Sequence, residues 1–203
     1  HSDLRRQRQM CIRDRLENHK RKKVELNIAK NYISKGAAGL IDFSCPKVSN
    51  LERSKLISDY LEIYKKNLFI KTHLFNGISE VIDTLVNKNI KWGIVTNKPS
   101  YLVLPIIEML NFTHEPNCII AGDTLSVKKP NPEPLIYASK QISIDPIFCA
   151  YVGDDLRDIV AANAAKMFSV AAAYGFISDT NQIKEWESDY IIDSPLDLKN
   201  LIS

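Results

Sequence analysis

Three short polar clusters, each directly after an apolar run, hold the side chains of this 203-residue sequence best suited to chemistry. Thr96-Asn97-Lys98 follows WGIV, and Lys128-Lys129-Pro130 follows CIIAGDTLSV. Gly153-Asp154-Asp155 follows CAYV, with Asp158 one helical turn further on. In an open parallel sheet, ligands bind beyond the carboxyl ends of the strands, so these clusters offer a hydroxyl, an ammonium and several carboxylates to one edge. Each also has an ordinary explanation. Thr96 and Asn97 are turn formers and helix caps, a lysine is normally a solvated charge, and acids at a helix start complement its dipole. Prolines at 130, 132 and 134 fix the backbone around Lys128 and Lys129 more firmly than a free side chain requires. Asp158 adds more negative charge than a cap needs, and a divalent cation with oxygen ligands, Mg²⁺ foremost, would relieve the repulsion.

The elements that position these residues follow from periodicity. From Phe75 onward, helical and strand-like segments alternate: ISEVIDTLVNK, KWGIVT, PSYLVLPIIEML, NCIIAG, PEPLIYASKQI, IFCAYVG, LRDIVAANAAK, FSVAAAYG, DYIID and PLDLKNLI. That order predicts an α/β fold with a parallel sheet covered by helices on both faces. In FSVAAAYG three alanines favour helix, but its length and the closing Gly175 predict a strand. Pro105 predicts a kink or a late start for its helix. Upstream, Val24 to about Phe69 reads as two amphipathic helices with a break around Ser44 to Asn50. One face carries Val24, Ile28, Tyr32 and Ile33, the other Leu56, Tyr60, Ile63, Tyr64 and Leu68.

Composition narrows the function classes. With 45% hydrophobic and 25% charged residues the chain can bury a core, which argues against disorder. Cys11, Cys45, Cys118 and Cys149 are widely spaced, without a zinc or disulfide pattern, so a reducing, cytoplasmic setting is expected. No apolar run approaches the roughly 18 residues of a membrane span, and no signal peptide is evident, so neither a membrane nor secretion is expected. Residues 1–23 carry nine Lys/Arg against three Asp/Glu, whereas residues 24–203 carry eighteen against twenty-one. The basic head has no aromatic residue to stack on bases, so nucleic-acid binding is not expected. The segment QRQMCIRDR resembles translated adaptor or vector sequence, and residues 1–15 are read as foreign to the fold.

The strings GIVTNKP, AGDTLSVKKPNPEPL and YVGDDLRDIVAANAA resemble the second, third and fourth motifs of the haloacid dehalogenase superfamily, in particular its phosphoglycolate phosphatase branch. The resemblance implies a Rossmann-like core over residues 71–203 and a partial helical cap over 16–70. It implies that Thr96 donates its hydroxyl to a phosphoryl oxygen with Asn97 beside it. Lys129, directly before the proline, would neutralise phosphate and nucleophile charge, and Asp154, Asp158 and Asp155 would hold Mg²⁺. The implied substrate is a small phosphomonoester such as 2-phosphoglycolate, with Ser34, Lys35 and Gly36 near its carboxylate.

The first motif of that family, an apolar strand ending Asp-x-Asp-Gly-Thr, supplies the nucleophile and the acid/base, and no Asp-x-Asp occurs in the 203 residues. MCIRD offers Asp14 but lacks the second Asp and the Gly-Thr turn. The reading is therefore of a phosphatase shortened at its amino end, inactive as given. The central strand of the sheet would be missing and the strands around Ile94 and Ala150 left unpaired. Two other readings keep the fold: a pseudo-phosphatase that binds phosphate without turnover, and another reaction of the superfamily, phosphomutase or dehalogenase. Lys129 with three acids favours phosphotransfer over a metal-free dehalogenase. Nothing in the sequence sets the oligomeric state.

Overall fold

A computed structural model of the chain describes residues 36–68, 70, 72–175 and 182–202. The backbone divides into two compact units, residues 1–73 and 74–203. In the first, α1 (Gly36–Ser44) packs on α2 (Asn50–Lys66). Ser49 caps α2 by accepting from the Glu52 amide, and Lys65 and Lys66 complement the dipole in its last turn. Leu56, Tyr60 and Tyr64, spaced by four, form its buried stripe, with the two tyrosine rings stacked. The break expected between Ser44 and Asn50 is present. Val24, Ile28, Tyr32 and Ile33 lie outside the described residues.

The second unit alternates as expected: α3 (Ile78–Asn87), β1 (Gly93–Val95), α4 (Ser100–Leu110), β2 (Cys118–Ile120), α5 (Glu133–Gln141), β3 (Ala150–Gly153), α6 (Leu156–Ala164), β4 (Phe168–Ala172), β5 (Tyr190–Ile192) and α7 (Leu198–Leu201). Short 3₁₀ turns precede β3, β5 and α7. All strand pairs are parallel, in two sets: β1 with β2, and β3-β4-β5 with β4 in the middle. Among the described residues no backbone ladder joins β1 to β3. The β1–β2 pairing extends past both ends of β1, through Asn117 N to Trp92 O and Thr96 N to Ile120 O. The ladder therefore carries Thr96 to the carboxyl edge of the sheet.

The alanine-rich segment is a strand because both its faces are filled. Ala171 packs with Ile159 and Ile183 on one side, and Val170 and Ala172 with Ile192 on the other. With partners on both edges as well, tertiary packing overrides the helical preference of alanine. Ala161, Ala162 and Ala165 of the α6 segment cluster with Leu135 of α5 and Met167. Helix α4 begins at Ser100, five residues before Pro105, which excludes a late start. Its first turn is held by Asp123 from the loop after β2, which accepts from the Ser100 amide at 2.8 Å and from its hydroxyl at 2.7 Å.

Leu135 is fully buried, and Val95 and Tyr151 are packed against its cluster. Leu135→Ala should lower the stability of the second unit by about 2–5 kcal/mol, read as a reduced midpoint in urea with an unchanged slope. A loss under about 0.5 kcal/mol would show that the cluster is not a core.

Candidate active site

The site is built where β1, β3 and the loop after β2 come together, and Lys129 joins them. Its backbone is clamped by Asn97: the Lys129 amide donates to Asn97 Oδ1 at 3.0 Å and Asn97 Nδ2 donates to the Lys129 carbonyl at 2.9 Å. The following Lys129–Pro130 peptide is cis. The side chain is 8% exposed, and its ammonium donates to Val95 O at the end of β1 (3.1 Å) and to the Tyr151 hydroxyl (2.5 Å). It also pairs with Asp158 Oδ1 at 2.6 Å. Three N–H groups thus meet three acceptors. Lys128, by contrast, is exposed. Of the two lysines, the buried one is thus Lys129, the one that the family resemblance assigns to the site.

Thr96 follows β1 directly, and its hydroxyl accepts from the Lys98 amide at 3.1 Å, the turn expected of that residue. That bond uses an acceptor lone pair and leaves the O–H as a donor for an oxygen ligand. Asn97 spends its amide on the Lys129 backbone, so it positions the lysine.

The acids divide by role. Asp155 is the N-cap of α6: its carboxylate accepts from the Arg157 amide at 3.0 Å and from the guanidinium at 2.8 and 2.7 Å. Burial works to raise its pKa, but the Arg157 hydrogen bonds and charge outweigh burial and leave it below the ordinary 3.8. Asp158 lies over Gly153 and Asp154 over Gly175, so closely that a Cβ on either glycine would run into the carboxylate side chain. For Asp158, burial is the main influence and raises its pKa; Lys129 opposes this, while Asp154 and Asp155 add repulsion. Burial also opposes the charge on Lys129, but the Tyr151 hydroxyl and Asp158 outweigh it and hold the ammonium protonated. Burial is likewise the first cause of Tyr151's rise to about 12, so the hydroxyl stays neutral.

Among the described residues no group of three His, Cys, Asp or Glu side chains is gathered to hold a metal ion by itself. Asp155, committed to Arg157, is not presented as a ligand. Asp158, itself paired with Lys129, and Asp154 are two hard oxygen donors whose charges repel each other. Mg²⁺ keeps several waters and takes one or two carboxylates together with substrate phosphate, so this pair suits it. Of the residues expected near a substrate carboxylate, Ser34 and Lys35 lie outside the described residues, and Gly36 opens α1 with φ +74° in the first unit.

Tyr151 was not among the residues the sequence singled out. A tyrosine in an apolar strand reads as core, and the signal it carries is only that a buried phenol needs a hydrogen-bond partner.

The sequence model of the haloacid dehalogenase-like hydrolase family matches residues 10–172. This chain belongs to that family. A phosphoglycolate phosphatase of Xanthomonas campestris is 36% identical over 163 residues, 80% of this chain and 74% of that protein. An N-acetylmuramic acid 6-phosphate phosphatase of Pseudomonas putida is 33% identical over 182 residues, 88% of this chain and 81% of that protein. Among solved structures, a predicted phosphoglycolate phosphatase from Haemophilus somnus superposes with a TM-score of 0.89 at 22% identity, covering 99% of this chain and 92% of that one. A beta-phosphoglucomutase from Clostridium difficile superposes with a TM-score of 0.75 at 19% identity, covering 98% and 88%. At such identities the two structures establish the fold alone, the Rossmann-like α/β fold of this haloacid dehalogenase-like hydrolase.

Asp155→Ala removes the α6 cap and should cost about 1 kcal/mol near neutral pH, measured by chemical unfolding. Because the folded-state pKa of Asp155 lies below 3.8, its contribution is complete above that pH and is lost as pH falls through the folded value. The gap between wild type and variant should therefore close in acid. A gap that widens in acid would contradict the cap.

Proposed function

We propose that this hydrolase acts on a small phosphorylated acid, with 2-phosphoglycolate as the first candidate, through an aspartyl-phosphate. The observation that carries the reading is the buried Lys129 ammonium between the end of β1 and Asp158, beside the Thr96 turn. Two relatives bearing different substrate names support the substrate class, since phosphoglycolate and N-acetylmuramic acid 6-phosphate are both phosphomonoesters of acids.

In this reading the Thr96 O–H and the Lys129 ammonium bind and neutralise the phosphoryl oxygens, whose charge must be balanced as the bond to the leaving oxygen breaks. Asn97 fixes Lys129, and Gly153 and Gly175 give Asp158 and Asp154 room at the sheet edge. Asp154 and Asp158 would hold Mg²⁺, which when bound supplies further positive charge to the phosphoryl group. The nucleophile is the first Asp of an Asp-x-Asp-Gly-Thr strand, which the 203 residues do not contain. Its carboxylate oxygen bonds to phosphorus as the ester P–O bond breaks, and the second Asp protonates the leaving alkoxide. Water then attacks the acyl phosphate, gives its proton to that Asp and releases phosphate. Ser34, Lys35 and Gly36 are our candidates for recognising the substrate carboxylate. Among the described residues no helix is long and apolar enough to cross a membrane. The widely spaced cysteines, without a disulfide pattern, support a reducing, cytoplasmic setting as part of this proposal. The lack of an Asp-x-Asp also favours a second reading for the chain as given, phosphate binding without turnover.

The chain as given should release no phosphate from 2-phosphoglycolate with or without Mg²⁺. Joined to an upstream Asp-x-Asp-Gly-Thr strand it should become a Mg²⁺-dependent hydrolase. In the joined protein, Lys129→Ala should lower kcat by about 100-fold or more, and Asp154→Asn should raise the Mg²⁺ requirement at least about tenfold. Turnover by the unextended chain, abolished by Asp14→Asn, would instead locate the nucleophile in the basic head.

A further inference from the structure

Asp123 stands in the loop after β2, at the same carboxyl edge as Thr96, and the proposed chemistry gives it no part. Both of its oxygens are spent on Ser100, the first residue of α4: Oδ1 accepts from the amide at 2.8 Å and Oδ2 from the hydroxyl at 2.7 Å. Pro99, just before α4, supplies no side-chain acceptor, so the start of this helix takes its cap from a different loop. One residue before Asp123, the Gly122 amide donates to Lys98 O at 2.8 Å, and Gly122 lies so close against Asn97 that a Cβ would run into its carbonyl. We infer that Asp123 is a positioning residue for Thr96: by capping Ser100 it fixes the turn that aims the Thr96 hydroxyl.

Between Thr96 and Ser100 the chain is fastened to the β2 side at three alternate residues. Thr96 N bonds to Ile120 O at 2.9 Å, Lys98 O accepts from Gly122, and Ser100 meets Asp123. Only the last fastening is made by a side chain, so it alone can be removed without touching the backbone bonds. The Thr96 hydroxyl accepts from the Lys98 amide at 3.1 Å, so its direction follows the backbone between these fastenings. Without Asp123 the Ser100 end frays, as the first turn of a helix does without its cap, and Lys98 loosens with it. On the other side of the turn, the Asn97 side chain holds the backbone of Lys129, at the far end of the same loop. The loop from Gly122 to Lys129 therefore grips the turn from both of its own ends. The Ser100 hydroxyl and amide, with the Lys128 charge, lower the Asp123 pKa from 3.8, so the acceptor is ionised at neutral pH, where its hydrogen bonds are strong. A helix cap with no further role would steady α4 and leave Thr96 unaffected. The inference deepens the proposed phosphate-binding reading and rests on it for what the Thr96 hydroxyl is held to meet, but the order of Thr96 can be read without any ligand.

The first measurement is methyl relaxation by NMR in the ligand-free chain, with threonine methyls labelled. Thr96 should be ordered in wild type and loosened in Asp123→Ala, with the Asn97 side-chain amide signals shifting too. Asp123→Asn should restore both, since its amide can accept from the Ser100 amide and donate to the Ser100 hydroxyl. Ile192→Val, in the cluster of β4 and β5, should lower Tm yet leave Thr96 order unchanged. The second is calorimetric binding of inorganic phosphate in the presence of Mg²⁺, which Asp123→Ala should weaken about tenfold. Should Asp123→Ala fail to fold, Ser100→Ala decides in its place: it puts a good helix former at the start of α4, deletes the hydroxyl arm and should loosen Thr96 part-way. A Thr96 that is mobile in wild type, or equally ordered in the folded variant, overturns the inference, as does phosphate held equally tightly by wild type and a loosened variant. A Thr96 that loosens, with no phosphate bound by either protein, would instead count against the phosphate-binding reading and leave the positioning role standing.

Discussion

Burying the ammonium of Lys129 is the constraint on which the second unit depends. A desolvated charge of this kind is tolerated only when its protons have acceptors and its charge a partner, and removing one partner of such a pair typically costs about 3–5 kcal/mol. Here the acceptors come from β1, β3 and α6, and the backbone of the lysine is fixed by Asn97. The Lys129 ammonium and the Leu135 cluster, against which Val95 and Tyr151 both pack, together bridge the two strand sets, which share no backbone ladder among the described residues. The group that draws the strand ends together is also the group that the proposed chemistry needs, a fixed positive charge in a place of low dielectric.

Small residues make this arrangement fit. Gly153 and Gly175 let Asp158 and Asp154 lie against the ends of β3 and β4, and alanines on α6 and β4 let helix and strand approach with few large side chains between them. The acids are thereby crowded, and their roles separate: Asp155 is neutralised by Arg157 and starts a helix, Asp158 is paired with Lys129, and Asp154 sits over Gly175. The carboxylates at 154, 155 and 158, close in the sequence, thus stand in three different environments in the structure.

Much of the fold was legible because it is written in short-range patterns. Apolar runs of four to six residues ending in Thr96, Gly122 and Gly153 mark strands, and Asp155 marks a helix start. FSVAAAYG was the hard case: its alanines pointed to helix, its length and Gly175 to the strand that is found, and the two filled faces of β4 explain why the strand prevails. Lys129 was separated from Lys128 only by the family resemblance, since the prolines fix the backbone around both. The function of Asn97 as a clamp and the contact of the Tyr151 hydroxyl with Val95 O were not legible, because their partners lie 32 and 56 residues away; the pairing of Asp155 with Arg157 is local, but the sequence leaves the arginine free to face solvent.

The central claim is that Thr96, Lys129 and Asp154 form one phosphate-binding edge. It is tested most directly by a crystal structure of the chain grown with Mg²⁺ and inorganic phosphate. The account predicts phosphate within hydrogen-bond reach of Thr96 Oγ1 and Lys129 Nζ, with the cation on Asp154. Phosphate bound elsewhere, or an edge that stays empty while Lys129 keeps all three of its protein acceptors at saturating phosphate, would contradict it.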